Sequence, residues 1–220
     1  MQAPLRPRVK ICCVQSLEEA ELAVRYGASA IGLVSEMPSG PGPIPEELIA
    51  RIASRVPPGV DSFLLTSNQD PGAVIEQHRR MRTTTIQLVD SFPLAWYSKL
   101  RVGMPGIRIV QVIHVRDTSS LDEAVSVALH VDALLLDSGN PGAAVKELGG
   151  TGRTHDWDIS LSIRNAVRIP VYLGGGLKAE NVGEAILRVQ PFGVDVCSGV
   201  RTNGRLDEAK LTVFFRSIAA

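Results

Sequence analysis

The chain has 220 residues, 45% of them hydrophobic and 21% charged, which is enough to bury a full core. Lys plus Arg equals Asp plus Glu at 23 each, and aromatics make up only 5%, so neither an electrostatic nor a base-stacking nucleic-acid binder is indicated. No apolar run approaches the roughly 18 residues a membrane span needs, and Met1 to Arg8 lacks the apolar centre of a signal peptide, so a cytoplasmic protein is expected.

Short apolar strands alternate with amphipathic helices along the chain. Val9 to Val14 reads as the first strand. Ser16 to Gly27 reads as a helix, with Ser16 as N-cap, Glu19 as its capping-box partner and Gly27 as its stop. Strands are then expected at Ala30–Val34, Val60–Leu65, Thr85–Val89, Ile107–Ile113, Asp132–Leu136, Pro170–Leu173 and Phe192–Val196. The helices between and after them are expected at Glu46–Arg55, Pro71–Met81, Pro93–Leu100, Ser119–Leu129, Trp157–Val167, Ala179–Arg188 and Asp207–Ile218.

Strands that are apolar on both faces and alternate with helices imply a parallel sheet. Eight such pairs fit a single α/β (β/α)8 TIM barrel over residues 1–220, slightly short of the typical ~250 residues. A doubly wound open sheet is the alternative, but it places its phosphate-binding glycines after the first strand. Here that strand ends in Cys12-Cys13-Val14, and the glycines cluster late.

Leu134-Leu135-Leu136 runs straight into Asp137, a carboxylate where a buried strand should end. Such an acid must be paired, solvated or used, and capping a turn is its commonest employment. Gly174-Gly175-Gly176 follows strand seven, and Cys197-Ser198-Gly199 follows strand eight. Either run alone makes a turn; together, after the last two barrel strands, they favour a phosphate site. Arg201 and Arg205 lie near enough to add charge, although surface placement is the ordinary fate of both. Lys10 and Cys12 share one face of strand one, and Cys13 takes the other. If that face is the barrel axis, the ammonium favours a thiolate and makes Cys12 a usable base; otherwise the cysteines are plain core residues. Asp195, alone in an apolar strand, requires a partner such as Lys10, in a structural pair or a substrate contact. His114 with Asp117, and His155 with Asp156, match no metal-ligand spacing and read as surface or loop residues. No nucleophile elbow surrounds Ser138 or Ser198.

Taken as a set, Lys10-Ile11-Cys12, Leu136-Asp137-Ser138, Gly149-Gly150-Thr151-Gly152 with Asp156-Trp157, Gly175-Gly176-Leu177 with Asn181, and Gly193-Val194-Asp195-Val196 with Ser198-Gly199-Val200 resemble the phosphoribosylanthranilate isomerases of tryptophan biosynthesis. The resemblance implies a (β/α)8 barrel that needs no cofactor or metal, acts on a small phosphorylated sugar and can form a homodimer. It makes Asp137 the general acid and Cys12 the general base of an Amadori rearrangement. It assigns the substrate phosphate to Gly152, Gly175, Gly176, Ser198 and Gly199, and lines the site with Lys10 and Asp195. The chain departs from the family after strand two, where Ser35 to Pro43 lacks the arginine that holds the anthranilate carboxylate. It departs again at Val89-Asp90, at Cys13 in place of glycine and at Arg201 in place of glutamate. Arg153 is the cation offered in place of the missing arginine. A paralogous isomerase on another amino-sugar phosphate, a Schiff-base aldolase using Lys10, and a phosphate-binding barrel without turnover are the competing readings.

Overall fold

The computed structural model describes residues 6–139, 142, 146, 148 and 152–219. Gly149, Gly150 and Thr151 of the late glycine run lie outside the described residues. Eight parallel strands close into a barrel in sequence order: β1 (Arg8–Ile11), β2 (Ala30–Val34), β3 (Asp61–Thr66), β4 (Thr85–Leu88), β5 (Arg108–His114), β6 (Ala133–Asp137), β7 (Val171–Leu173) and β8 (Gly193–Val196). The helices are α1 (Leu17–Arg25), α2 (Glu46–Ala53), α3 (Pro71–Met81), α4 (Tyr97–Gly103), α5 (Ser119–Ala128), α6 (Trp157–Ala166), α7 (Val182–Val189) and α8 (Glu208–Ala219). Among the described residues, no helix is long and apolar enough to cross a membrane.

Strand periodicity sorts the apolar residues into two cores. One set, including Ile11, Ile31, Leu64, Ile86, Leu136 and Val194, faces outward against the helices. The other, including Ala30, Phe63, Val110, Ala133 and Tyr172, fills the barrel interior. Inside, Phe63 meets Tyr172 edge to face at 6.0 Å.

Side chains cap the N-termini of α1, α3 and α6. Ser16 accepts from the Glu19 amide at 3.2 Å, and Asp70 and Asp156 accept from the amides of Ala73 and Asp158. The reciprocal arm of the capping box goes elsewhere. The Glu19 carboxylate accepts from the Gln15 amide and from Arg201, because a buried guanidinium outcompetes one backbone donor. A 3-10 turn, Leu94–Trp96, precedes α4. Residues 178–181 make a turn, so α7 starts three residues later than expected. A short hairpin, β9 (Arg201–Thr202) with β10 (Arg205–Leu206), stands between β8 and α8 and has no counterpart in the sequence reading.

Candidate active site

The site is built where β1 and β8 close the barrel. Their register places Lys10 opposite Asp195, and both side chains point inward. Lys10 Nζ lies 2.8 Å from Asp195 Oδ1 and 3.4 Å from Cys12 Sγ, with no exposure to solvent. Burial works against the ammonium, but Asp195 first and Cys12 second outweigh it and hold its pKa above the usual lysine range. Lys10 is therefore a fixed cation. It also lies 5.3 Å over the Phe63 ring. A Schiff-base lysine must shed its proton to attack, so this clamp counts against the aldolase reading.

Room for the pair comes from β2. A Cβ on Gly32 would stand 2.9 Å from Cys12 Sγ and 3.1 Å from Lys10 Nζ, so any larger residue there displaces the two groups that matter.

β1 ends at Ile11, three residues short of the expected strand. Cys13 then takes a φ of 59°, which breaks the side-chain alternation. Cys13 consequently does not turn to the opposite face: Cys12 and Cys13 line the same cavity. That cavity, about 680 Å³ including its open mouth, is also lined by Asp137, Gly152, Gly175, Gly176, Asp195 and Ser198.

Asp137 ends β6, half-buried, and its Oδ1 accepts from the Ser138 amide at 2.7 Å. The turn-capping role and the cavity-facing position thus coexist in one residue. Its pKa is raised to about 6, chiefly by burial and further by the negative Asp195, against the pull of the Ser138 amide and Lys10. A carboxyl that keeps its proton near neutrality can donate it.

The two glycine loops, after β7 and after β8, touch backbone to backbone. A Cβ on Gly199 would fall 2.1 Å from the Leu177 carbonyl oxygen. Asn181 donates to the Gly176 carbonyl and accepts from the Lys178 amide, which pins the glycine turn from behind. Gly199 does not line the main cavity; it lines an adjoining depression that shares Gly152, Gly176 and Ser198 with it. The other wall, with Val34, Met37, Leu65, Val89 and Leu148, is apolar.

Arg153 is exposed and does not line the cavity; its backbone, close to Gly176, is what meets the site. Glu36 is exposed and also stands outside the lining. Arg201 is not a surface residue. It is buried and donates to the Cys12 and Cys13 carbonyls and to Glu19, tying the exit of β8 to the exit of β1, while Arg205 is exposed. His114 is likewise buried, with Nε2 bonded to the Val89 carbonyl at 2.8 Å. His155 packs behind Gly175, where Nδ1 would stand 2.9 Å from a Cβ; with φ at +79°, Gly175 has both reasons to be glycine. Burial lowers the His155 pKa to about 4, so the ring is neutral.

Gln87 was missed. It is buried, lines the cavity, and its Oε1 has no hydrogen-bond partner among the described residues. Its signal was present: a lone polar residue in the apolar strand Ile86-Gln87-Leu88, the same sign that singled out Asp195. Among the described residues, no group of three or more His, Cys, Asp or Glu is arranged to hold a metal ion.

The model of the N-(5'-phosphoribosyl)anthranilate isomerase family matches residues 9–217. The chain belongs to this family. It is 37% identical to the isomerase of Methanocella arvoryzae over 93% of both chains. The solved phosphoribosylanthranilate isomerase of Thermotoga maritima is 30% identical, with a TM-score of 0.83 over 97% of this chain and 98% of that one. A phosphoribosylanthranilate isomerase in complex with reduced 1-(o-carboxyphenylamino)-1-deoxyribulose 5-phosphate is 28% identical, with a TM-score of 0.80 and the same coverage.

Proposed function

We propose that this chain converts N-(5-phosphoribosyl)anthranilate to 1-(2-carboxyphenylamino)-1-deoxyribulose 5-phosphate in tryptophan biosynthesis. One observation supports the reading: the Asp137 carboxyl and the Cys12 thiol beside the Lys10 ammonium line one cavity with Gly152, Gly175 and Gly176.

Asp137 donates its proton to the ribose ring oxygen. The C1–O bond breaks, and the nitrogen lone pair forms the C1=N bond of a Schiff base. Cys12, as thiolate beside the Lys10 ammonium, takes the proton from C2. The electron pair of that C–H bond forms C1=C2, and the C1=N electrons return to nitrogen. The enolamine then tautomerises to the ketone at C2. Asp195 acts through Lys10 and through its negative charge on Asp137. The phosphate is assigned to Gly152, Gly175, Gly176, Ser198 and Gly199, where backbone N–H groups can approach an anion. The apolar wall suits an aromatic ring. Its carboxylate is assigned to Arg153, whose exposed side chain must turn in from the rim to meet it; the other cation of the loop after β6, Lys146, is held by Asp90.

A cytoplasmic location and a homodimer belong to the same proposal; the Thermotoga maritima isomerase is described as dimeric. The test is loss of anthranilate fluorescence on mixing the protein with N-(5-phosphoribosyl)anthranilate. Wild type turns it over, and Cys12→Ala and Asp137→Asn each lose at least about 100-fold in kcat. Turnover undiminished in either variant removes that residue from the mechanism. No turnover by wild type removes this substrate.

A further inference from the structure

Cys13 and Cys197 take no part in the reaction above. Their sulfurs stand 2.9 Å apart at the cavity wall, although 184 positions separate them in the chain. All three cysteines of the chain are free thiols. Cys13 is buried just past the end of β1, and Cys197 is half-buried just past the end of β8. The two therefore face each other across the seam where the barrel closes. The left-handed backbone at Cys13 is what turns its thiol toward Cys197.

We propose that Cys13 and Cys197 form a redox modification site: a peroxide joins them in a reversible disulfide that staples β1 to β8 and leaves Cys12 reduced. The Cys197 thiolate attacks one oxygen of the peroxide. The O–O bond breaks, and hydroxide leaves and is protonated to water. The Cys13 sulfur then attacks the sulfenic sulfur of Cys197. That S–O bond breaks, and the departing hydroxide takes the Cys13 proton as a second water. Two thiols give up two electrons to one peroxide.

The roles follow from the surroundings. Cys197 lines the cavity, where a small oxidant reaches it. The Cys13 contact, and after it the charge of Arg201, lower its pKa against the effect of burial. Cys13 lines the cavity too but is the more buried of the two, and it holds its proton, because its contacts with Cys12 and Cys197 and its burial all raise its pKa. It is placed to resolve a sulfenic acid rather than to start the attack. A bridge between Cys12 and Cys13 would instead close a small strained ring across one peptide bond. Moving from 2.9 Å to the ~2.05 Å of a disulfide asks the two strand exits to approach by only about 0.9 Å.

The test treats the full-length reduced protein with one equivalent of hydrogen peroxide, alkylates the remaining thiols, and maps the digest without reduction. The expected product pairs Cys13 with Cys197 and carries the alkyl group on Cys12. Because the bridge closes nearly the whole chain into a loop, Tm should rise by roughly 5–15 °C, and dithiothreitol should reverse the gain. Cys13→Ser and Cys197→Ser should each fold and show no such rise. A bridge that includes Cys12, sulfinic acid on Cys12 with Cys13 and Cys197 both alkylated, or an unchanged Tm after complete pairing would each overturn the proposal.

Discussion

Replacing Lys10 by Met separates what the buried ion pair does for stability from what it does for chemistry. The ammonium lies 2.8 Å from Asp195, and the two side chains are 0% and 11% exposed. Removing one partner of a buried pair costs about 3–5 kcal/mol, because the other charge is left uncompensated. Asp195 borders the cavity, where water can reach it, so about 2–4 kcal/mol is expected, or a fall in Tm of roughly 5–15 °C for a chain of this size. The same ammonium lies 3.4 Å from Cys12 Sγ, where its attraction for a thiolate is about 1 kcal/mol at water's dielectric constant and about 5 at an effective value of ~20. At ~1.4 kcal/mol per factor of ten, kcat/KM should fall between about 10-fold and about 4000-fold. The double variant Lys10→Met/Asp195→Leu resolves the two effects. With no charge left unpaired it should recover most of the lost Tm, yet stay as inactive as the single variant. Thermal melts followed by circular dichroism, together with the anthranilate fluorescence assay, give both readouts. Recovery of activity along with stability would show that Lys10 serves only to neutralise Asp195, and the base assignment of Cys12 would lose its support.

Asp137→Asn should raise stability at pH 7. The native carboxyl, with its pKa near 6, binds its proton more tightly than an unfolded aspartate with the ordinary value of 3.8, so wild type loses stability as pH rises from 3.8 through 6. That penalty is complete above pH 6 and absent below about 3.8; it amounts to about 1–3 kcal/mol after allowance for partial exposure. Urea titrations of both proteins at pH 7.5 and pH 3.5 check it, and a difference of equal size at both values would contradict the linkage. Gly199→Ala forces a Cβ to 2.1 Å from the Leu177 carbonyl oxygen, so the two glycine loops proposed to hold the phosphate must part. KM should rise at least about tenfold with a smaller change in kcat, as expected when binding contacts shared by ground and transition states are lost. Arg201→Met removes the counter-charge of the partly buried Glu19, which keeps only backbone donors from Gln15 and Leu206, and takes a donor from the Cys12 and Cys13 carbonyls. A loss of about 3–5 kcal/mol in chemical denaturation is expected, and a loss under 1 kcal/mol would mean that solvent already reaches the pair.

Local chemistry was legible in the sequence. Strand periods, the helix cap at Ser16 and the stop at Gly27 depend on residues a few positions apart, and the structure keeps them. The same is true of the acid closing β6 and of the glycines after β7 and β8, since each reports on its own strand end. The family motifs added roles that no local pattern carries. The tertiary structure alone decided what crosses the barrel seam. The β1–β8 register sets Lys10 on Asp195, turns Arg201 inward onto the Cys12 and Cys13 carbonyls, and brings Cys197 to Cys13. A left-handed residue after β1 reversed the direction expected for Cys13. The family resemblance implied that Asp137 is a proton donor, where its place in the chain alone pointed first to a turn cap. Its proton affinity, however, depends on the burial and on the Asp195 carboxylate that ring closure brings to it. Charges couple through space with the dielectric around them, and only closure of the barrel sets both the distance and the dielectric.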